Sequence, residues 1–347
     1  MTRFNHLGRL RIVLASLVLF SHAYPLTNHP ELLALLTGVV TGGAIAVIGF
    51  FFISGFLVTR SWIRLQRPLE FAAHRFFRIW PALIAALGLG ALLGVAVSTA
   101  DKTIAATSAW YYFSGNLPLF TGIRFHIEGA FLDNPNKAIN GSLWTLQWEV
   151  ICYIVVFIVG LIGGLRGRFL PRLVAAAAML CIYALAVYDI GIFMGSVDIA
   201  LILFTFALGA LSYFVHSHWD GYWLATALFA ASVICHLVGG DLGRLMPVFL
   251  ICAVITLISF TPLLPAGDAK SDPSYGIYIY AFPVQQLVVW FYPECSPLEN
   301  MIYAFPVTYA LAMLSWFYVE KPMIGLGKAL FRPSTVETLK TKPQELI

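Results

Sequence analysis

A series of long apolar runs dominates this chain of 347 residues and constrains its fold more than any other feature. About 20 apolar residues suffice to carry a helix across the hydrocarbon core of a bilayer. Helices and closed barrels are the structures that satisfy backbone polar groups there. The sequence therefore predicts an all-α, polytopic membrane helical bundle of about ten transmembrane helices, since each apolar run is long enough for one helix. The predicted spans lie at about 10–26, 40–59, 79–99, 143–163, 171–188, 197–215, 221–238, 245–261, 273–292 and 301–319.

Composition excludes the soluble classes of protein. Hydrophobic residues make up 60% of the chain and charged residues 11%, against the roughly 25% charged residues of soluble domains. So few charges cannot cover a soluble surface, and they do not suit a disordered chain or a disulfide-stapled secreted module. The net charge of +4 indicates no polyanionic partner such as nucleic acid. The 5 cysteines show no metal-binding spacing, so we expect no metal site.

Lysine and arginine are distributed unevenly between the two sets of predicted loops. Of the 21 such residues, only Lys102, Arg124, Lys137 and Arg244 lie in the loops opposite the N-terminus. Because these residues concentrate on the cytoplasmic side of membrane proteins, both termini are predicted to be cytoplasmic. We therefore expect a transmembrane domain at 1–328 and a cytoplasmic tail at 329–347. A cleaved secretory signal ending near His22 is the alternative for the first run.

The longest predicted loop, at residues 100–141, lies on the outer side and is rich in aromatic and polar side chains. Trp110, Tyr111 and Arg124 are among them. This mixture suits a sugar ligand, and it equally suits an aromatic belt at the membrane interface. Both interpretations stay open at the level of sequence.

Two polar side chains share the first span. Polar groups at membrane depth are costly, so each is a functional candidate. Arg11 and His22 are separated by about three helical turns, which places them on one face and about 16 Å apart along the axis. An imidazole at mid-depth above a guanidinium suggests a path into the bundle that begins at its cytoplasmic end. A snorkelling arginine and a hydrogen-bonded histidine are the structural alternative.

Charged residues also mark the third, fourth and tenth spans. Arg75 and Arg78 share a helix face at the cytoplasmic end of the third span. Paired guanidiniums suit phosphate, although ordinary membrane anchoring explains them as well. Glu149 lies inside the fourth span and needs a partner or a wet cavity. Glu320 ends the tenth span, where we expect it to cap or pair.

Six motifs follow one another along the chain: Arg11 and His22; Phe51 to Leu57 with its Ser-Gly pair; Arg75, Arg78, Ile79 and Pro81; Ser142, Leu143, Trp144, Leu146 and Glu149; Ser274, Tyr275 and Tyr278; Glu320 and Pro322. In this order they resemble the acyltransferase-3 family of integral-membrane O-acyltransferases over about residues 9–328. One departure concerns Ala281, which stands where many members have a histidine. His22 is then the only histidine well inside a span near a matched motif.

The resemblance implies a stand-alone O-acyltransferase, in the first place an O-acetyltransferase, of a bacterial inner membrane. It implies transfer from cytoplasmic acetyl-CoA or another acyl-CoA to a hydroxyl of a cell-surface or secreted carbohydrate. Lipopolysaccharide, exopolysaccharide and an oligosaccharide all fit as acceptors, and membrane lipid surrounds the protein. The acceptor, the acyl length and the oligomeric state stay open.

The resemblance also implies roles for the singled-out residues. Arg11, Arg75 and Arg78 would bind the donor. His22 would be catalytic, either as a general base or as a nucleophile that carries the acyl group. Glu149 would orient His22 or, slightly preferred, neutralise a buried arginine. A transporter or exporter of a small glycan or lipid is the alternative function, although no internal repeat supports it, and an inactive scaffold is a third.

Overall fold

The computed structural model describes residues 6–38, 40–167, 169–187, 197–216, 220–262 and 271–331, and these ranges contain helices and no strand. Most of the predicted tail at 329–347 lies outside the described residues. The helices are α1 (Leu7–Leu26), α2 (Leu32–Thr37), α3 (Gly42–Leu65), α4 (Pro68–Val97), α5 (Lys102–Asn116), a 3₁₀ turn (Gly141–Leu143), α6 (Trp144–Leu161), α7 (Leu170–Val187), α8 (Val197–His216), α9 (Gly221–Val238), α10 (Gly240–Gly243), α11 (Met246–Phe260), α12 (Ser274–Phe291), α13 (Pro297–Ser315), a π-helical turn (Trp316–Glu320) and α14 (Lys321–Ala329).

The predicted all-α membrane bundle is confirmed. In the described part of the chain, 8 helical stretches are long and apolar enough to cross a membrane. Helices α7 and α12 occupy the predicted fifth and ninth spans but fall outside that set. Within the described side chains, α7 contributes the apolar stretch Leu170–Ala184, and α12 contains tyrosines and glutamines. The cytoplasmic placement of the termini stays a prediction.

Helix α12 is polar in sequence because protein rather than lipid surrounds it. Every residue from Ser274 to Gln286 is buried, and the helix packs against α1, α4 and α13. The amide of Gln285 donates to the carbonyl of Leu19 and to Oδ1 of Asn300, both at 2.9 Å. Gln286 donates to two carbonyls of the loop before α6. Buried amide N–H groups that find acceptors in this way are tolerated in a protein interior.

A proline in the middle of α12 is compensated by the segment that opens α6. Pro283 has no N–H to donate to the carbonyl of Ile279 one turn earlier. Instead, Nδ2 of Asn140 donates to that carbonyl at 2.8 Å. Oδ1 of the buried Asn140 accepts from the backbone N–H of Ser142 at 3.0 Å. The start of α6 is therefore tied directly to α12.

Helices α3 and α8 approach each other at two glycines. A Cβ atom added to Gly55 would overlap the backbone carbonyl of Phe206, and one added to Gly209 would overlap that of Phe52. Small residues allow such close backbone contact between membrane helices. This contact fixes α3, whose residue Ser54 points into the site described below.

A π-helical turn, Trp316–Glu320, joins α13 to α14. The turn is wider than an α-helical one, and turns of this kind are frequent at functional sites. It leaves the side chain of Glu320 buried, with Oε1 accepting from the hydroxyl of Ser315 at 3.2 Å. A carboxylate from the end of the bundle thus faces the interior.

Candidate functional site

Helices α1, α3, α4, α6 and α12 surround a space of about 750 Å³, which we call the arginine cavity. Four side chains that the sequence singled out line it: Arg11, Arg75, Arg78 and Glu149. They come from three helices and three separate motifs, so the fold brings these motifs together. Hydroxyl groups supply much of the remaining polar wall, from Ser54, Thr145, Tyr153, Ser274, Tyr275 and Tyr278.

Asp272, just before α12, joins two of the arginines. Its Oδ2 accepts from Nη1 of Arg11 at 2.7 Å and from Nη2 of Arg78 at 2.8 Å. Its Oδ1 accepts from the hydroxyl of Ser274 at 2.5 Å. Burial by itself would raise the pKa of Asp272, but the two guanidiniums and the Ser274 bond hold that pKa well below its ordinary value. This carboxylate is therefore ionised at neutral pH.

Arg78 also contacts the carboxylate of Glu320, with Nη1 lying 3.5 Å from Oε2. Arg78 thus bridges two acidic side chains. Asp272 lies just before α12, and Glu320 lies just before α14. This agrees with the expectation that Glu320 pairs at the end of the last span. The bridge ties α4 to the C-terminal helices of the described chain.

Arg75 differs from its two neighbours because no carboxylate of the described ranges pairs with it. Its guanidinium lies 5.5 Å from the ring centre of Tyr153 and 5.8 Å from that of Phe71. Aromatic faces attract a cation without neutralising it. Arg75 therefore contributes a positive charge that no described carboxylate pairs with directly.

Glu149 is hydrogen-bonded to hydroxyl groups. Its Oε1 accepts from Ser54 at 3.2 Å and from Tyr153 at 2.5 Å. Among the residues that the structure describes, no lysine or arginine forms an ion pair with Glu149. The ion pair that the sequence favoured is therefore not formed among the described residues: Arg11 and Arg78 pair with Asp272 and Glu320, and Arg75 lies against the ring of Tyr153.

His22 lines a second, wider space of about 1920 Å³, which we call the histidine cavity. Arg11 and His22 lie on the same helix, and 1.5 Å per residue separates them by about 16 Å along its axis. The structure thus places the predicted catalytic histidine apart from the predicted donor-binding arginines. Polar side chains of the histidine cavity include Ser21, His29, Glu31, Thr41, Trp144 and Arg244.

The imidazole of His22 contacts an aromatic ring of α12. Its ring meets that of Phe282 edge-on, with 5.2 Å between the centroids. Its Nδ1 is buried and has no hydrogen-bond partner within the described residues. Neither Glu149 nor another described carboxylate orients the imidazole. Ala281 is fully buried in α12.

The loop at 100–141 does not reach either cavity. None of its residues is among those that line the arginine cavity or the histidine cavity. Its first half forms α5, which packs on α4 and leaves Trp110 and Tyr111 more than half exposed. Exposed aromatic rings at this position suit the membrane-interface interpretation.

Sequence reasoning missed Asp272 and Tyr153. Asp272 lies two residues before the matched Ser274 motif, in a segment predicted to be a loop. An acidic residue in a loop is ordinarily solvated, so no pattern marked it. Tyr153 lies one turn after Glu149, and that spacing was the available signal for their hydrogen bond.

Comparison with known proteins gives matches over nearly the whole chain. The family described as an acyltransferase domain matches residues 6–320. The chain is 30% identical over 350 residues to an O-acetyl transferase of Shigella phage Sf6, covering 92% of this chain and 96% of that protein. It is 27% identical to Nodulation protein 10 of Rhizobium leguminosarum bv. viciae, covering 94% and 95% of the two chains. No solved structure matches.

Proposed function

Since the chain belongs to this acyltransferase family and is a multi-pass membrane O-acyltransferase, we propose that it transfers an acetyl group from cytoplasmic acetyl-CoA to a carbohydrate hydroxyl. The observation that carries the proposal is the arrangement of α1. This one helix presents Arg11 to one cavity and His22 to another. A donor and an acceptor that approach from opposite ends of the bundle need such an arrangement.

The arginine cavity is the proposed donor site. Coenzyme A carries several phosphate charges, and guanidinium groups bind phosphate through paired hydrogen bonds. No described carboxylate pairs directly with Arg75, whereas Arg11 and Arg78 share Asp272. We therefore assign the main phosphate contact of the donor to Arg75. Arg11 and Arg78 provide further positive charge in the wall of the same cavity.

Glu149 is a positioning residue in this proposal. It accepts a hydrogen bond from the hydroxyl of Tyr153, and Arg75 lies over the ring of that tyrosine. Fixing the ring fixes the guanidinium above it. Glu149 thus acts on the donor through Tyr153 and Arg75 and does not touch the imidazole of His22.

The histidine cavity is the proposed acceptor site. Its indole group, Trp144, offers an apolar face to a sugar ring, and His22 offers a base. The hydroxyl oxygen attacks the acyl carbon, the C–O bond forms and the C–S bond of the thioester breaks. His22 takes the hydroxyl proton and returns it to the departing thiolate. In the second route, a nitrogen of His22 first carries the acyl group and then passes it to the hydroxyl.

The proposed location is a bacterial inner membrane, with the arginine cavity facing the cytoplasm and the histidine cavity facing outward. The uneven distribution of lysine and arginine between the predicted loops supports this orientation. The acceptor is then a carbohydrate on the outer side, such as lipopolysaccharide, exopolysaccharide or an oligosaccharide.

The test uses purified protein in nanodiscs with acetyl-CoA labelled on its acetyl group, with and without extracted surface glycans. Wild-type protein should form a base-labile glycan ester, and His22→Ala should lower the rate by about 10²–10⁴, the usual contribution of a general base. His236→Ala is the matched control, because this exposed histidine of α9 lies outside both cavities. Full transfer by His22→Ala would overturn the role of His22.

The same experiment separates the two chemical routes and tests the donor. Label retained on wild-type protein without glycan, and absent from His22→Ala, would identify an acyl-histidine intermediate. Label that leaves acetyl-CoA only when glycan is present, and never accumulates on the protein, supports the direct route. If no acyl-CoA binds or reacts, the donor assignment fails.

A further inference from the structure

The arginine cavity and the histidine cavity share part of their walls. Val47 of α3 and Tyr278 of α12 line both, and no other described residue does so. Two consecutive residues of α6 complete the boundary, because Trp144 faces the histidine cavity and Thr145 faces the arginine cavity. A thin partition therefore separates the space assigned to the donor from the space assigned to the acceptor.

We propose that Tyr278 is a positioning residue that closes the passage between the two cavities and opens it for acyl transfer. The hydroxyls of Tyr278 and Thr145 share a hydrogen bond of 2.5 Å. The ring of Tyr278 meets that of Phe50 edge-on, with 5.8 Å between the centroids. These contacts hold a large side chain across the boundary from α12 to α6 and α3.

The neighbouring tyrosine shows why this position is distinctive. Tyr275 lies one turn earlier on α12, and its hydroxyl donates to the carbonyl of Ile79 at 3.2 Å. Tyr275 lines the arginine cavity alone. Tyr278 is bonded to a side-chain hydroxyl and not to the backbone, so a rotation of two side chains suffices to release it. Val47 is short and has no polar group to hold it.

A closed partition has a chemical consequence. Water that reaches a thioester converts it to a carboxylic acid and a free thiol, with the C–S bond broken and a C–O bond formed to the water oxygen. Exclusion of water from a reactive group prevents this side reaction. Tyr278 therefore protects the donor until an acceptor is in place. This chemical part rests on the proposed function, whereas the presence of a physical barrier does not.

The barrier is tested first without any substrate. A cysteine is placed in each cavity, as Ser54→Cys and Val40→Cys, and membrane vesicles are treated from one side with a membrane-impermeant thiol reagent. Mass spectrometry distinguishes these sites from the native cysteines. With Tyr278 present, we expect the two engineered cysteines to react from opposite sides. With Tyr278→Ala, Ser54→Cys should react from both sides.

Two outcomes of the labelling would overturn the barrier. Reaction of Ser54→Cys from both sides while Tyr278 is intact would show that the passage is already open. Reaction from one side in folded Tyr278→Ala would show that another group closes it. Tyr278→Phe keeps the ring and loses the hydrogen bond, so labelling from the far side should rise by about fivefold, the factor expected from one lost hydrogen bond.

The second measurement compares thioester hydrolysis without acceptor with transfer to glycan. Tyr278→Ala and Tyr278→Phe should raise the ratio of hydrolysis to transfer. Tyr280→Phe is the control, because this tyrosine of α12 lines neither cavity, and it should leave that ratio unchanged. A proportional fall of both reactions in the Tyr278 variants would indicate a merely structural role and overturn the proposal. If acyl-CoA fails to react with wild-type protein, the proposed donor is wrong, and the labelling result still decides whether the barrier exists.

Discussion

Arg11 and Arg78, on helices α1 and α4, donate to the same oxygen of Asp272 at 2.7 and 2.8 Å. One carboxylate oxygen thus occupies both guanidiniums, much as a phosphate oxygen would. The contact connects the beginning of α12 to two other helices at the mouth of the arginine cavity. It also leaves Arg75 as the cavity arginine without a described carboxylate partner.

The first prediction concerns Asp272 and pH. Asp272→Asn removes the shared charge, and we expect a loss of about 2 kcal/mol, below the value for fully buried pairs because the side chain is 23% exposed. The pKa of Asp272 is lowered in the folded protein. Its stabilisation is therefore complete above its ordinary pKa of about 3.9 and is lost as pH falls below that value.

Thermal unfolding of wild-type protein and Asp272→Asn in detergent between pH 8 and pH 3 tests this. The difference in melting temperature should be constant down to about pH 4 and then shrink. A constant difference down to pH 3 would contradict the lowered folded-state pKa of Asp272, because the unfolded carboxylate takes up its proton below about pH 4. A difference that shrinks between pH 8 and pH 6 would contradict the ionised state assigned to Asp272.

The second prediction concerns Arg75. Because this guanidinium has no described carboxylate partner, Arg75→Ala should cost little stability and should weaken donor binding. A lost charged hydrogen bond corresponds to roughly a tenfold rise in the KM for acyl-CoA. Arg78→Ala is the informative contrast, since it leaves Glu320 without its arginine and Asp272 with Arg11 alone, and it should lower the melting temperature more. Equal melting temperatures for the two variants would contradict this division of roles.

The third prediction follows the contact from Glu149 through Tyr153 to Arg75. Tyr153→Phe removes the hydroxyl that donates a hydrogen bond to Glu149 but keeps the ring beneath Arg75. We expect it to raise the KM for acyl-CoA by about fivefold, as for one hydrogen bond, with little change in kcat. Glu149→Gln should act in the same direction. A large fall in kcat at unchanged KM would place Glu149 in the chemical step.

The general fold was predictable because apolar runs and helix length are local properties of the sequence. The motifs also identified four side chains that the fold gathers in one cavity: Arg11, Arg75, Arg78 and Glu149. Helix α12 was recognisable by its motif although its hydropathy is modest, because hydropathy measures suitability for lipid and this helix is surrounded by protein.

The partners of these side chains were not predictable. Asp272 pairs with arginines far away in sequence, and no local pattern encodes such a distance. The ion pair expected for Glu149 is likewise not formed among the described residues, and Glu149 accepts hydrogen bonds from the hydroxyls of Ser54 and Tyr153. The shared helix face of Arg11 and His22 indicated a common path, but only the packing of α3, α6 and α12 divides that path into two cavities.

The fourth prediction concerns the glycine contact between α3 and α8. Gly55→Ala forces its Cβ against the backbone of Phe206, which cannot move as a side chain does. Overpacking of this kind costs about 1–3 kcal/mol. Gly88→Ala is the matched control, because a Cβ at this position of α4 meets nothing within 4 Å, and alanine there should stabilise the helix by about 0.5–1 kcal/mol. Melting temperatures that fall equally would contradict the close contact.

The last prediction is a coupling between Asn140 and Pro283. Asn140→Ala leaves the buried carbonyl of Ile279 without its side-chain donor, since the proline supplies no N–H. We expect a cost of about 1–3 kcal/mol, the penalty for an unsatisfied buried acceptor. Pro283→Ala restores a backbone N–H one turn after Ile279, so the same asparagine substitution should cost less in that background.

A double-mutant cycle on melting free energies measures this coupling directly. We expect an interaction energy of about 1 kcal/mol between the two positions, within the range for residues that share a partner. Asn134→Ala provides a comparison, because its amide donates to Gln286 and not to Ile279. Additive costs for Asn140→Ala and Pro283→Ala would mean that Asn140 stabilises α6 through its cap on Ser142 alone. A coupling of Pro283 with Asn140 but not with Asn134 would show that Asn140 satisfies the carbonyl of Ile279 that Pro283 leaves without a backbone donor.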